Sequence, residues 1–412
     1  MIDPAFPRLH VRAQQGWVND PNGLCHVDGR WHVFYQYNPS APRHGQIHWG
    51  HSSSTDLVHW RHEPVALAPR PGQPDAAGCW SGSCTIDDGV PTLCYTALAE
   101  DPRAAVALTA TGDPTLTRWT PASEPSAGRQ GPADAETRDP YVVWIEGHRY
   151  ILQGFGGPSS TPRVLVHDAT DLRHWKLLGP LISADDPVAA RVADAAIWEC
   201  PNLVRIGDRW LLVISLLNER PTAVSWMTGD LVVTAQGPRF TAVDGGVLDS
   251  GPAFYAPQLL DDDGRILMWA WSDELGRSTQ WLDAHGWAGT LTTPRELTLR
   301  GGKLASRPAP EYLTQRSGLL VGSWRAVEQP SFEVAVGSGA RLSCSATDPT
   351  GRPGTGSETG PHLDLPAGTR LLVDGSLVEI FDPDGDTFTT RIYPSEASVW
   401  TIEGDAEVHC LG

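Results

Sequence analysis

The chain has 412 residues, a formal charge of −18 and a hydrophobic content of 40%, enough for one large and one smaller folded domain. Asp and Glu number 49 against 31 Lys and Arg, a balance that repels phosphate backbones and anionic lipid and so argues against nucleic-acid and membrane-surface partners. No run is long and apolar enough to span a bilayer, and the start MIDPAFPRLHVRAQQGW lacks the basic-then-apolar pattern of a secretory leader, so a cytoplasmic protein is the default expectation.

The first distinctive stretch is WVNDPNG at residues 17–23. Asn, Asp, Pro and Gly in that order are turn chemistry, which makes Asp20 part of a predicted turn. From there the chain is dominated by short β-type runs broken by Gly, Pro and Asp, the texture of an all-β protein. Five runs share one plan, an apolar strand, an acidic or glycine turn and a second apolar strand: LCHVDGRWHVFYQY, SCTIDDGVPTLCYT, YVVWIEGHRYILQG, NLVRIGDRWLLVISL and PQLLDDDGRILMWAW. Their turn glycines, 29, 89, 147, 207 and 264, are spaced by 60, 58, 60 and 57 residues. A period of this length in a β chain predicts a five-bladed β-propeller, one blade per repeat. A second series, TDLVHW (55–60), DPTLTRW (113–119) and TDLRHW (170–175), recurs at nearly the same period and is expected on an outer strand of successive blades. After residue 300 the texture changes. GGKLASRPAPEY reads as a linker, and the short alternating strands beyond it predict a small C-terminal β-sandwich. The expected domains are 1–300, a linker at 301–315, and 316–412. Seven scattered cysteines without a C-x-x-C pair argue against a disulfide framework or a zinc site.

Equivalent positions follow from the repeat. Eight or nine residues before each turn glycine stand Asp20, Ser81, Asp139, Glu199 and Tyr255. In a propeller such positions gather around one mouth of the central channel, so three carboxylates are expected in one axial pocket. Calcium binding would call for a denser set of oxygens, and DDDG at 261–264 lies on a hairpin turn, so no metal site is expected. Glycoside hydrolysis needs two carboxyl groups flanking the scissile bond, and a third can stabilise the transition state. Sugar binding without chemistry is the remaining alternative. The sequence neighbours separate the three acids: Arg138 beside Asp139, and Asn19 with the turn amides around Asp20, are expected to keep those two ionised, while Trp198 and Ala195–Ile197 are expected to raise Glu199. Asp20 is then the nucleophile, Glu199 the acid/base and Asp139 the stabiliser. The 17 tryptophans supply faces on which sugars stack.

WVNDPNG, FYQYNP (34–39), HWGHSSSTDLVHW (48–60), WSGS (80–83), RDP (138–140), WECP (198–201), FYAPQ (254–258) and TPRELTL (293–299), together with DGSLVEIF (374–381) and RIYP (391–394), resemble glycoside hydrolase family 32. These are the β-fructofuranosidases: invertases, sucrose-6-phosphate hydrolases, levanases and inulinases. The resemblance implies a five-bladed propeller with a β-sandwich, no cofactor, and cleavage of β-fructosides with retention. The partner it implies is a small-molecule or oligosaccharide fructoside. It implies the same three catalytic roles for Asp20, Glu199 and Asp139, and sugar contacts at Asn19, Gln36, Trp80, Ser81, Arg138 and Trp271. Two positions depart from the family pattern, His44 where a Trp is usual and Ala253 where an Asp is usual, and both are expected to bear on the leaving-group side. Fructosyl transfer, hydrolysis of a phosphorylated sucrose with Arg12, Arg43 or His44 at the rim, and carbohydrate binding without turnover are the alternatives. NDPNG with WECP argues against an arabinan-type enzyme.

Overall fold

The computed structural model describes residues 3–100, 105–320, 322–346 and 362–412; Met1 and Ile2 of the start, and residues 347–361 of the expected C-terminal unit, lie outside them. The described chain is nearly all β, with two short α-helices at Ala189–Val192 and Thr279–His285. Among the described residues no helix is long and apolar enough to cross a membrane.

All five predicted hairpins form. Each turns through a two-residue loop, since Val27 faces Arg30, Asp87 faces Val90, Ile145 faces His148, Ile206 faces Arg209 and Asp262 faces Arg265. In four of them an acidic residue and the glycine both take positive φ, the geometry whose twist matches that of antiparallel strands. Their first strands are Gly16–Val27, Gly78–Asp87, Glu136–Ile145, Ile197–Ile206 and Tyr255–Asp262. Each packs against the next, and the fifth packs back on the first. Every hairpin continues outward into antiparallel strands, the third and fourth units being joined by the single pair Gly156–Ile197. Close approach there requires glycine: a Cβ on Gly154 would lie 2.2 Å from the carbonyl oxygen of Trp198.

Three expectations change. Asn19-Asp20-Pro21-Asn22-Gly23 is not a turn but part of the continuous strand Gly16–Val27, which absorbs its proline through β-bulges at Val18–Pro21 and Asn22–Cys25. The TDLVHW series lies in the loops between strands rather than along one, only Trp119 opening the strand Trp119–Pro121. In these loops Asp56, Asp113 and Asp171 accept from backbone amides two to five residues on, and the Trp119 and Trp175 indoles donate to the carbonyls of Leu116 and Leu172. The 301–315 stretch is not a loose linker: Lys303–Pro308 pairs with Arg295–Arg300 as the last strand of the fifth unit, with Leu304 and Ala305 buried, and Pro310–Gln315 forms a 3₁₀ turn.

The eight strands from Arg316–Leu320 to Ser398–Leu411 form one hydrogen-bonded network around Phe332, Val334, Leu342, Val373, Val378, Ile402 and Val408. A buried ionic cluster fastens them to the rest. Arg295, fully buried, donates to Asp249 at 2.8 Å and to Glu379 at 2.6 Å; His10 bridges Asp374 at 2.7 Å and Glu379 at 3.0 Å. The TPRELTL and DGSLVEIF motifs thus meet each other in space.

Candidate active site

Every first strand carries an irregularity at the level where the site lies. In the last three the bulge is an X-Pro pair whose first residue is left-handed: Asp139 at φ 58°, Cys200 at 45° and Ala256 at 45°. Proline cannot donate to the ladder, so the strand bulges there. Aligning Pro21, Pro140, Pro201 and Pro257 corrects the equivalence read from the turn glycines. Cys200, not Glu199, stands level with Asp20 and Asp139, while Glu199 stands level with Arg138 and Tyr255. The offset arises because Gly207 is the first residue of its loop, whereas the other four glycines are the second.

The site therefore has two tiers. In the lower tier Asp20 accepts from Ser81 Oγ at 2.6 Å and from Asn19 Nδ2 at 3.1 Å. Trp17 Nε1 donates to Asn19 Oδ1 at 2.8 Å, which turns the Asn19 amine toward Asp20. Asp139 accepts from the Cys200 amide at 2.9 Å, and its own amide donates to Thr96 Oγ1 at 2.8 Å. The Cys200 thiol sits between the acids, 3.5 Å from Asp139 Oδ2 and 3.8 Å from Asp20 Oδ2. In the upper tier Glu199 is gripped on both oxygens, by Tyr255 OH at 2.8 Å and by Arg138, which also pairs with Glu136. Beneath both tiers a third set of side chains ties neighbouring strands together. Asn22 accepts from the Gly82 amide, Asn202 donates to the carbonyls of Cys200 and Pro257 and accepts from the Leu259 amide, and Gln258 joins Leu24 to Gly82.

All nine expected site residues, Asp20, Asp139, Glu199, Asn19, Gln36, Trp80, Ser81, Arg138 and Trp271, line one cavity of about 310 Å³, together with Trp17, His44, Leu217, Pro221 and Tyr255. Trp17 meets Trp271 edge-on at 5.5 Å, and the Arg138 guanidinium lies 4.8 Å over the Trp80 ring. The role of Cys200 was not read from the sequence, although the repeated X-Pro step carried the signal. Of the rim cations, Arg43 pairs with Asp283 and Arg12 lines a separate cavity with Pro7 O as its acceptor. Ala253 is buried away from the site, its amide bonded to Thr389 O in the C-terminal unit, so this departure does not touch the leaving-group side.

Electrostatics reverse part of the expected pattern. Burial pushes the Asp20 carboxyl up to about 6, aided by the charge of Glu199 and opposed by Ser81 and Asn19. Burial likewise raises Asp139, with Glu199 and Asp20 adding to it against the pull of Arg138 and the Cys200 amide. No turn amide reaches Asp20 among the described residues; its donors are side chains. Glu199 does not sit among apolar groups as expected but between a guanidinium and a phenol. Burial raises Tyr255 far above its ordinary range, so it stays a neutral donor.

Two carboxylates at the base of a cavity, a third held at its side by a cation and a phenol, and indole faces around them define a glycosidase-type site on an all-β scaffold. The chain belongs to glycosyl hydrolases family 32: residues 10–308 match that family's N-terminal domain and residues 345–409 its C-terminal domain. A sucrose-6-phosphate hydrolase of Klebsiella pneumoniae is 36% identical over 345 residues, covering 77% of this chain and 69% of that protein. A raffinose invertase of Escherichia coli is 30% identical over 457 residues, covering 97% and 93%. Among solved structures, a sucrose-6-phosphate hydrolase from Lactobacillus gasseri superposes with a TM-score of 0.83 at 22% identity, covering 99% of this chain and 93% of that one. A Bombyx mori β-fructofuranosidase gives 0.82 at 24%, covering 99% and 94%. These two share the fold.

Proposed function

We propose that the protein is a retaining β-fructofuranosidase that releases fructose from β-fructofuranosides. The observation that carries this reading is the single cavity taking in Asp20, Asp139 and Glu199 under indole walls. Asp20 attacks the anomeric C2 of the fructosyl unit as the bond to the leaving oxygen breaks, and the Glu199 carboxyl gives its proton to that oxygen. Water then attacks the fructosyl-enzyme, Glu199 takes up the water's proton, and Asp20 is freed. Asp139 accepts hydroxyl hydrogen bonds from the sugar, and Arg138 and Tyr255 fix the orientation of Glu199. Asn19, Gln36, Trp80, Ser81 and Trp271 shape the fructose subsite.

The closed circuit of five first strands supports a five-bladed propeller, here taken to run through residue 308, followed by a β-sandwich from residue 316. Phosphorylated sucrose is a second reading, favoured by the names of several relatives. The charge pattern weighs against it, since Arg138 is committed to Glu199 and Glu136 while Arg43 and Arg12 are engaged elsewhere. The test is fructose release measured in parallel on sucrose, sucrose 6-phosphate, inulin and levan, with Asp20→Asn as control. Release on none of them overturns the reading. Oligosaccharide as the main product at high sucrose makes the protein a transferase.

A further inference from the structure

His44 belongs to the loop between the strands Arg30–Asn38 and His48–Ser54. That loop is tied down on the side away from the cavity. Asn38 Nδ2 donates to Arg43 O at 2.8 Å, Asn38 Oδ1 accepts from the Ser40 amide at 2.9 Å, and Arg43 pairs with Asp283 of the helix Thr279–His285. So held, the loop presents His44 to the cavity, its ring edge-on to Trp80 with centroids 6.2 Å apart. Trp80 in turn carries Arg138, and Arg138 holds Glu199. His44 is therefore on the Glu199 side, where the proton is delivered and the leaving group departs. Among the described residues no hydrogen bond from a protein group reaches either ring nitrogen of His44, whereas Glu199 beyond Arg138 is bonded on both oxygens.

We infer that His44 selects the leaving group, its imidazole exchanging hydrogen bonds with a hydroxyl of an uncharged sugar as that sugar separates from Glu199. The inference rests on the fructosidase reading and extends it to the far side of the scissile bond. Burial and the nearby charge of Arg138 lower the His44 pKa, so at neutral pH the ring is uncharged, with one donor and one acceptor nitrogen. A sugar hydroxyl, itself both donor and acceptor, matches that pair; a phosphate needs a cation, and among the described residues lining the cavity Arg138 is already paired with Glu199 and Glu136.

The test compares kcat/KM on sucrose with that on methyl β-D-fructofuranoside, whose methanol leaving group has no hydroxyl-bearing ring. His44→Ala is expected to lose about ten-fold on sucrose, the worth of one uncharged hydrogen bond, and less than about two-fold on the methyl glycoside. His44→Gln, which keeps a donor and an acceptor, is expected to recover most of the loss. Equal losses on both substrates, or none on sucrose, overturn the inference and leave the fructosidase reading standing. If His44→Ala melts well below wild type, His44→Phe, which keeps an aromatic ring but has no ring nitrogen, decides: a sucrose-specific defect supports the inference, and an unspecific defect or none overturns it. Wild-type inactivity on both substrates overturns the inference, while the fructosidase reading falls only if inulin, levan and sucrose 6-phosphate release no fructose either.

Discussion

Asp20 carries two obligations that conflict, and the conflict is measurable. As the proposed nucleophile it must be ionised, yet burial holds its carboxyl up to about 6. Lowering the pH through 6 protonates it, so kcat/KM on sucrose is expected to fall ten-fold per pH unit below that point; a pH–rate profile from 4 to 8 with its acidic limb near 4 would contradict this. The same shift costs stability. A carboxyl whose folded pKa is raised from 3.8 to about 6 stabilises the fold fully only below 3.8, and that contribution is lost as pH rises through 6. Asp20→Asn should therefore abolish turnover, by at least about 10⁴-fold, and at pH 7 raise stability by about 1–2 kcal/mol. That is less than the ~3 kcal/mol of two full pKa units, because solvent reaches the cavity. Calorimetry at pH 7 and pH 4 checks it, since the gain should vanish at the lower pH. Which acids gather was legible in the sequence, because Asp20, Asp139 and Glu199 each stand beside a bulge proline or one residue from it. Their electrostatics were not legible: the partners that matter, Ser81 for Asp20 and Tyr255 for Glu199, come from neighbouring repeats, 61 and 56 residues away.

The hairpin is the element on which the fold is repeated, and its acid-glycine loops were readable because two left-handed residues in a row demand that composition. What counting from the glycines missed was the register of the fourth loop, where Gly207 stands first instead of second and moves the count by one residue. The polar set beneath the two tiers depends on the strand bulges. Asn202, two residues past the Cys200 bulge, bonds Cys200 O at 2.8 Å, Pro257 O at 3.0 Å and the Leu259 amide at 3.0 Å. Asn202→Ala would strand these buried groups and is expected to cost about 3 kcal/mol in denaturant unfolding. It should also lower kcat, because the Cys200 amide that holds Asp139 lies on the same loosened bulge. A loss below about 1 kcal/mol would mean that the strands are held by packing alone.

At the scale of the whole molecule, the two halves of the chain are joined by charge in a dry setting. His10 lies between Asp374 and Glu379, whose bonds and charges outweigh its burial and raise it to about 9. A histidine raised in this way from 6.5 stabilises the fold fully below 6.5, and that contribution is lost as pH rises through 9. Melting temperature should accordingly decline between pH 7 and 10 in the wild type, and His10→Gln, already weaker at pH 7, should flatten that decline; parallel slopes would place the titration elsewhere. The change of texture after residue 300 was visible in the sequence. The clamp was not, because Arg295, Glu379 and His10 are each unremarkable in their own segments and meet only across up to 369 residues of chain. The closing of the first strand on the fifth has a consequence for the protein's birth on the ribosome. Asp20 is synthesised before Ser81, Asp139, Glu199 and Trp271, which join it in the order of translation. The strand that bears it is then sealed by Trp287–Ala288, and the segment just before it by Asp374 and Glu379. Asp20 is made before each of these groups, so a growing chain has no complete pocket until Trp287–Ala288 and the strands that bear Asp374 and Glu379 have emerged.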